Sequence, residues 1–291
     1  MISGKTQVVG VIGHPIGHTC SPAMHNAAFA KLGLDWVYAP FAVAPDSLAE
    51  AIRGAMALGF RGLNVTIPHK EAALGLADEA GEEARVAGAA NTLSFIQGRI
   101  KADSTDAYGF RKSLEGVGFD PLGKKAVLLG AGGVARSLLV ALAQAKAASV
   151  VIANRTYERA IKLKTIAERI GGATQIVAVE LGTPGVDTAI AEAELLVNAT
   201  SHGMAPEADV PLLFDEKVLN RRQLVYDTIY SPRQTRLLEV AREKGCKTLD
   251  GAEMLVLQGA RSFELWTGQS APVDVMRKAL LQALSEGSNS I

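Results

Sequence analysis

The chain has 291 residues, and its 30 Lys and Arg balance 30 Asp and Glu, which argues against a nucleic-acid binder with a basic surplus on one face. With 48% apolar and 21% charged residues it can fill a core and is no disordered polymer, and its length predicts two domains. Its two cysteines, Cys20 and Cys246, form neither a C-x-x-C pair nor a Cys/His cluster, so no metal site is expected and a reducing, cytoplasmic setting is favoured over a disulfide scaffold.

Met1 to Thr6 lead into a short apolar run that stops at His14-Pro15, without the charged lead and long hydrophobic stretch of a signal peptide. Val8 to Ile12 reads as a strand. Ser21-Pro22 offers a helix cap followed by proline in the first turn, with Met24, Ala27, Ala28 and Leu32 as the apolar stripe. Val37 to Val43 is a second strand, and Asp46 to Leu58 a helix ending at Gly59. Gly62 to Ile67 is a third strand, stopped by Pro68, which leaves Lys70 just beyond a strand's carboxyl end. Thr92 to Ile96 and Ile100 to Ala102 pair as a hairpin across Gln97-Gly98.

A polar helix from Asp106 and a Gly/Pro-containing link up to Gly123 mark a domain boundary. A βαβ unit begins at Lys125, with strands at Ala126 to Leu129, Ser149 to Ala153, Gln175 to Val179, Leu195 to Ala199 and Leu224 to Asp227. After Thr248 the chain reads as helix, over Met254 to Trp266 and Val273 to Leu284. The most membrane-like window, Ala126 to Ala145, contains Arg136 and a glycine cluster, which fits a buried strand, turn and helix and not a bilayer span. Strand-length runs alternating with Ala/Leu-rich helices are the pattern of a parallel-sheet α/β protein.

Gly130-Ala131-Gly132-Gly133-Val134-Ala135 follows a buried strand and opens a helix, matching G-x-G-x-x-[GA] in its dinucleotide-binding context. The first glycine permits the tight turn, the second lets a pyrophosphate approach the backbone, and the small last residue lets helix and strand pack closely. A phosphate there meets unpaired N–H groups at a helix terminus. A glycine-rich βα turn that binds nothing has the same sequence. The next strand ends in Asn154-Arg155-Thr156 with Arg159 one turn on, and carries no carboxylate where an NAD site holds the ribose hydroxyl. Arg155 and Arg159 can bond a 2′-phosphate, which selects NADP; without the glycine turn they would read as solvated surface charges.

Near the ends of the amino-terminal elements stand Thr19 and Ser21, Asn64 and Thr66, Lys70, Asn91 and Thr105-Asp106. The hydroxyls of Thr19 and Ser21 can hold a carboxylate, and Asn64, Thr66 and Asn91 a polyhydroxylated ring. Ser21 as a helix cap, Thr66 as a strand residue and Asn91 as a turn residue are the plainer alternatives. Hydride exchange between a nicotinamide and an alcohol also moves a proton at oxygen, and a buried lysine held by a carboxylate can carry it. Lys70 and Asp106 are the candidates; an ion pair between domains or two unrelated surface charges would look the same in sequence.

Several strings agree in order with one family. Gly13-His14-Pro15-Ile16-Gly17-His18-Thr19-Cys20-Ser21-Pro22, Asn64-Val65-Thr66-Ile67-Pro68-His69-Lys70, Gly88-Ala89-Ala90-Asn91-Thr92 and Ser104-Thr105-Asp106 are followed by the glycine turn and Asn154-Arg155-Thr156. Asn198 to Met204, Tyr226 to Pro232, and Gly251-Ala252-Glu253-Met254-Leu255 with Gln258 complete the set. On these strings the chain resembles the shikimate dehydrogenases and their quinate/shikimate relatives over nearly its whole length.

The resemblance implies an NADP-linked oxidoreductase that interconverts 3-dehydroshikimate and shikimate, a step of aromatic amino-acid (chorismate) biosynthesis. It implies an α/β fold of two domains: an N-terminal α/β substrate domain over 1–107 and a Rossmann-like NADP-binding domain over 108–250. C-terminal helices over 251–291 would return to the first domain and bring Gln258 to a cleft. By matching positions, Thr19, Ser21 and Tyr230 would bind the substrate carboxylate, and Thr66, Asn91 and Gln258 the ring hydroxyls. Lys70 would be the catalytic acid/base, with Asp106 as its partner and a further substrate ligand. Gly130, Ala131, Gly132, Gly133 and Val134 with Asn154, Arg155, Thr156 and Arg159 would hold NADP, and Glu82, Thr228 and Gly251 would lie on the nicotinamide side. The expected partner is a small-molecule substrate, with no nucleic acid or membrane, in a monomer or homodimer.

Three positions depart from the family pattern. Thr19 stands for the first serine of a Ser-x-Ser string, keeping the hydroxyl on a stiffer side chain. Ser104 stands where Asn is usual, and Ala107 where Gly is usual. All three lie beside the expected substrate residues and bear on substrate choice.

Overall fold

A computed structural model describes residues 2–168, 172–205 and 207–288. The chain divides into two compact units, Met1–Phe110 with Leu255–Ile291, and Arg111–Met254. None of the described helices is long and apolar enough to cross a membrane.

The first unit runs β1 Gln7–Gly13, α1 Ser21–Lys31, β2 Trp36–Ala42, α2 Leu48–Ala57, β3 Gly62–Val65, α3 Lys70–Gly75, β4 Glu79–Ala80, α4 Glu82–Ala87, β5 Thr92–Ile96 and β6 Arg99–Asp103, and α5 Asp106–Gly116 begins in it. Its sheet has the order β2-β1-β3-β5-β6-β4, with β2, β1 and β3 parallel and β5 antiparallel to both β3 and β6. The β5–β6 hairpin turns on Gln97 and Gly98, both at positive φ (51° and 74°), as a two-residue turn with the right twist requires. Leu63, Val65 and Leu93 from the sheet pack with Leu48 and Ile52 of α2 in one core cluster, and each such aliphatic side chain contributes about 1.5–3 kcal/mol.

Three local expectations are corrected here. Ser21 does not cap α1: it is the helix's first residue, the cap position is Cys20, and no side chain makes the cap bond. The buried stripe of α1 is Met24, His25, Ala28 and Phe29, while Leu32 is exposed, because an aromatic cluster and not an aliphatic one receives the helix. α2 also starts later than Asp46, since Pro45–Ser47 form a separate 3₁₀ turn.

The second unit runs β7 Lys125–Leu129, α6 Gly133–Gln144, β8 Ser149–Asn154, α7 Tyr157–Glu168, β9 Gln175–Glu180, α8 Pro184–Glu192, β10 Leu195–Asn198, β11 Leu224–Asp227, α9 Arg236–Glu243 and β12 Lys247–Leu249. Its sheet is wholly parallel in the order β12-β11-β10-β7-β8-β9. Strand order reverses between β7 and β10, the position where open α/β sheets bind ligands. β12 is a short edge strand that the sequence pattern does not mark, and it ends at Leu249, just ahead of the terminal helices.

The chain ends in α10 Ala252–Thr267 and α11 Val273–Ser288. α11 packs on α1, and Phe263 of α10 stacks on Phe29, so the terminal helices complete the first unit.

Candidate functional site

Lys70 is the first residue of α3 and Asp106 the first of α5. Each is delivered by a strand that stops short of it, β3 for Lys70 and β6 for Asp106. Lys70 Nζ donates to Asp106 Oδ2 at 2.5 Å, and the two residues are only 8% and 5% exposed. The other carboxylate oxygen accepts from Asn91 Nδ2 at 3.0 Å. Asn91 cannot turn its amide around, because its Oδ1 accepts the backbone N–H of Thr105 at 2.7 Å and an N–H only donates. Its amide nitrogen therefore faces Asp106, Thr105 Oγ1 at 2.9 Å and Gln258 Oε1 at 3.0 Å, three acceptors for two hydrogens.

Behind this trio lies a polar layer that the sequence did not disclose. Tyr38 donates its phenol to Asn64 Oδ1 at 2.8 Å, which turns the Asn64 amide nitrogen towards Ser262 Oγ (3.0 Å) and the Asn91 carbonyl (3.1 Å). Ser262 bonds the Thr92 hydroxyl at 2.8 Å and donates to the Gln258 carbonyl at 3.1 Å. Tyr38, Thr92 and Ser262 are all buried. Asn64 and Thr92 stand in the strings that carry the resemblance, whereas Tyr38 and Ser262 give no signal in the sequence. Such a closed network rigidifies what it surrounds. His25 stacks flat on Tyr38, with ring centroids 4.3 Å apart, and neither of its ring nitrogens has a hydrogen-bond partner among the described residues. Burial pushes its pKa down to about 3, so it is a neutral ring at pH 7.

Among the other expected residues of this unit, Thr19 is half-buried and its Oγ1 accepts the Ser21 N–H at 3.3 Å. Ser21 is buried in the first turn of α1, and Thr66 is half-buried just past β3, its N–H bonded to the Ile12 carbonyl at 2.9 Å. Glu82 is exposed in the first turn of α4.

In the second unit, Gly130 takes φ +105°, and a Cβ there would come within 2.9 Å of Thr200 Cγ2, so the turn after β7 admits no side chain. Ala131 is buried and Val134 half-buried, and Gly133 opens α6. Gly132 caps α6 with extended backbone and makes no side-chain cap bond, and a Cβ on it would point into open space. A helix terminus with unsatisfied N–H groups and room above the glycine is a cradle of the kind a pyrophosphate fills. At the tip of β8, Asn154 Nδ2 donates to the Thr156 carbonyl at 2.8 Å and closes the turn. Arg155, Thr156 and Arg159 are exposed there, and neither guanidinium has an ion-pair partner among the described residues. These groups fit a phosphorylated dinucleotide.

Across the strand reversal, Thr228 donates both its N–H and its hydroxyl to the Asn198 carbonyl, at 3.0 and 2.9 Å. Gly251 donates its N–H to the Ile229 carbonyl at 2.9 Å and packs so tightly on the Thr228 carbonyl that a Cβ has no place. Tyr230 is half-buried in the same loop.

The family model of a shikimate dehydrogenase substrate binding domain matches residues 11–93. That of shikimate / quinate 5-dehydrogenase matches residues 117–209, and that of a shikimate 5'-dehydrogenase C-terminal domain residues 251–281. A shikimate dehydrogenase (NADP(+)) of Methanopyrus kandleri is 47% identical over 285 residues, covering 97% of this chain and 98% of the relative. A crystal structure of a shikimate dehydrogenase in complex with NADP+ matches with a TM-score of 0.90 at 39% identity, covering 98% of each chain. The shikimate 5-dehydrogenase of Listeria monocytogenes in complex with shikimate and NAD matches with a TM-score of 0.88 at 36% identity, over 96% of this chain and 98% of that one.

Proposed function

The chain belongs to the shikimate dehydrogenase family, and from that premise we propose that it is an NADP-linked oxidoreductase that reduces 3-dehydroshikimate to shikimate and runs the reverse reaction. This is a step of aromatic amino-acid biosynthesis. The observation that carries the reading is the buried Lys70–Asp106 pair, with Asn91 on the second carboxylate oxygen. NADP, when bound, supplies or accepts the hydride.

The chain's own residues do the rest. In reduction, Lys70 delivers the proton to the ring oxygen as the carbonyl becomes an alcohol; in oxidation it takes that proton back. Asp106 holds the ammonium in place and, with Asn91, presents acceptor and donor to a neighbouring hydroxyl. Thr19, Ser21 and Tyr230 take the substrate carboxylate, and Thr66, Asn91 and Gln258 the ring hydroxyls. The glycine turn from Gly130 to Val134 receives the pyrophosphate on backbone N–H groups, with Asn154 and Thr156 shaping the adenosine side. Arg155 and Arg159 take the 2′-phosphate. Glu82, Thr228 and Gly251 serve the nicotinamide end. The unpaired Cys20 and Cys246 support a reducing, cytoplasmic setting.

The test is a four-way steady-state assay, shikimate and quinate each with NADP and NAD. Shikimate with NADP should give the highest kcat/KM. A dominant rate with quinate and NAD would overturn the assignment, and binding of shikimate without turnover by any pair would point to a ligand sensor on this fold.

A further inference from the structure

Asp227, the last residue of β11, is wholly buried, and no cation pairs with it among the described residues. Its three described partners are all donors. Oδ1 accepts from Asn198 Nδ2 at 3.0 Å and from the Ile229 N–H at 3.1 Å, and Oδ2 accepts from the Thr235 hydroxyl at 2.7 Å. A lone buried carboxylate is expensive, and the neutral amide of asparagine would cost less in the same volume.

Asn198 ends β10, beside β11 in the sheet. With its amide nitrogen committed to Asp227, its Oδ1 is left to accept the N–H (3.1 Å) and hydroxyl (2.7 Å) of Thr200. Thr200 in turn stands where Gly130 has no side chain. The Asn198 carbonyl holds Thr228, whose own carbonyl lies against Gly251, and Ile229 is tied directly to the carboxylate. One buried group thus fixes the ends of two strands at the reversal of strand order, together with the glycine turn and the loop that leads to Tyr230.

We propose that Asp227 is a positioning residue of the cofactor site, which sets the Asn198 side-chain amide and through it the place of Thr200 against Gly130, and which holds the Ile229 N–H in the loop that carries Thr228 and meets Gly251. The inference rests on the reading that the second unit holds NADP. Burial pushes the Asp227 carboxyl up to about 6, as a carboxylate held by neutral donors alone would behave. Asparagine at this position can keep its oxygen towards Asn198 and Ile229 and offer its nitrogen to Thr235, whose hydroxyl can turn to accept; alanine can do neither.

The experiment uses the full chain. Wild-type turnover of shikimate with NADP is measured first and tests the functional reading on its own. Asp227→Ala should raise the KM for NADP at least tenfold and Asp227→Asn less than threefold. Asn198→Ala should match Asp227→Ala, and the double variant should add nothing beyond either single change. An unchanged KM in Asp227→Ala, or additive losses in the double variant, overturns the proposal. If Asp227→Ala does not fold, Thr235→Val carries the test: a two- to fivefold rise supports the clamp and no change overturns it. If the wild type binds NADP without turning over shikimate, fluorescence titration of NADP across the same variants reads the clamp directly. Equal affinities then overturn this inference alone, and absence of NADP binding by the wild type overturns it together with the functional reading.

Discussion

Lys70 Nζ lies 2.5 Å from Asp106 Oδ2, so the first residue of one helix is bonded to the first residue of another, 36 positions away in the chain. The ammonium is shielded from water and cannot swing freely, which places a proton at one point in space. Lys70→Met removes that proton and leaves Asp106 buried without its cation. Turnover should fall by about 10²–10⁴, the usual worth of a positioned acid/base, while shikimate binding by calorimetry is largely kept. Turnover within tenfold of the wild type would show that another group moves the proton.

Arg155 and Arg159 are exposed and without ion-pair partners among the described residues, so each guanidinium is available to an anion. One charge-assisted contact contributes about 1.5–3 kcal/mol, which corresponds to a rise of roughly 10- to 150-fold in the KM for NADP in Arg155→Ala. The KM for NAD, which lacks the phosphate, should stay nearly constant. Equal losses with both cofactors would move the phosphate contact elsewhere.

Much of this arrangement could be read from residues alone, and the exceptions share a cause. Strands such as Leu195–Asn198 and Leu224–Asp227 are apolar up to their last residue because both faces of a parallel sheet are covered, and they stand out. β12 does not, since Lys247–Leu249 is a three-residue edge strand whose pairing is carried by backbone and not by a pattern. The glycine turn and Lys70 were visible through local spacing. Ser262 was not, because an isolated helical serine says nothing until Asn64, 198 positions earlier, is folded against it. Asn198 and Asp227 stood in conspicuous strings without a role, which only their mutual bond supplies.

His25 predicts how the first unit responds to acid. In the unfolded chain it protonates with an ordinary value near 6.5, but in the folded protein only near 3. The unfolded state therefore binds more protons between these values, and stability is full above about pH 6.5 and drains away as pH falls towards 3. The loss from this residue is on the order of 4–5 kcal/mol at the acid end. His25→Phe should flatten that slope in urea melts from pH 7 to 4. It should also be neutral or stabilising at pH 7, since two unpartnered buried nitrogens disappear. A variant with the wild-type acid slope would mean that His25 is hydrated in solution.

Asp227 gives the opposite sign in the second unit. Its folded value of about 6 lies above the ordinary 3.8, because burial outweighs the bonds from Thr235, Ile229 and Asn198 that favour the charge, and Asp250 adds repulsion. Its contribution to stability is therefore full below about pH 3.8 and is lost as pH rises through 6, on the order of 3 kcal/mol in all. Asp227→Asn has no such titration, so the stability of the variant relative to the wild type should climb from pH 4 to 7 and level off above. The two slopes oppose one another over much of the same range, and a wild-type profile alone would show only their difference. Measured separately in His25→Phe and Asp227→Asn, they should come apart. A flat difference between Asp227→Asn and the wild type across pH 4–7 would show that water or a moved side chain stabilises the charge, and that the carboxylate is not held by neutral donors alone.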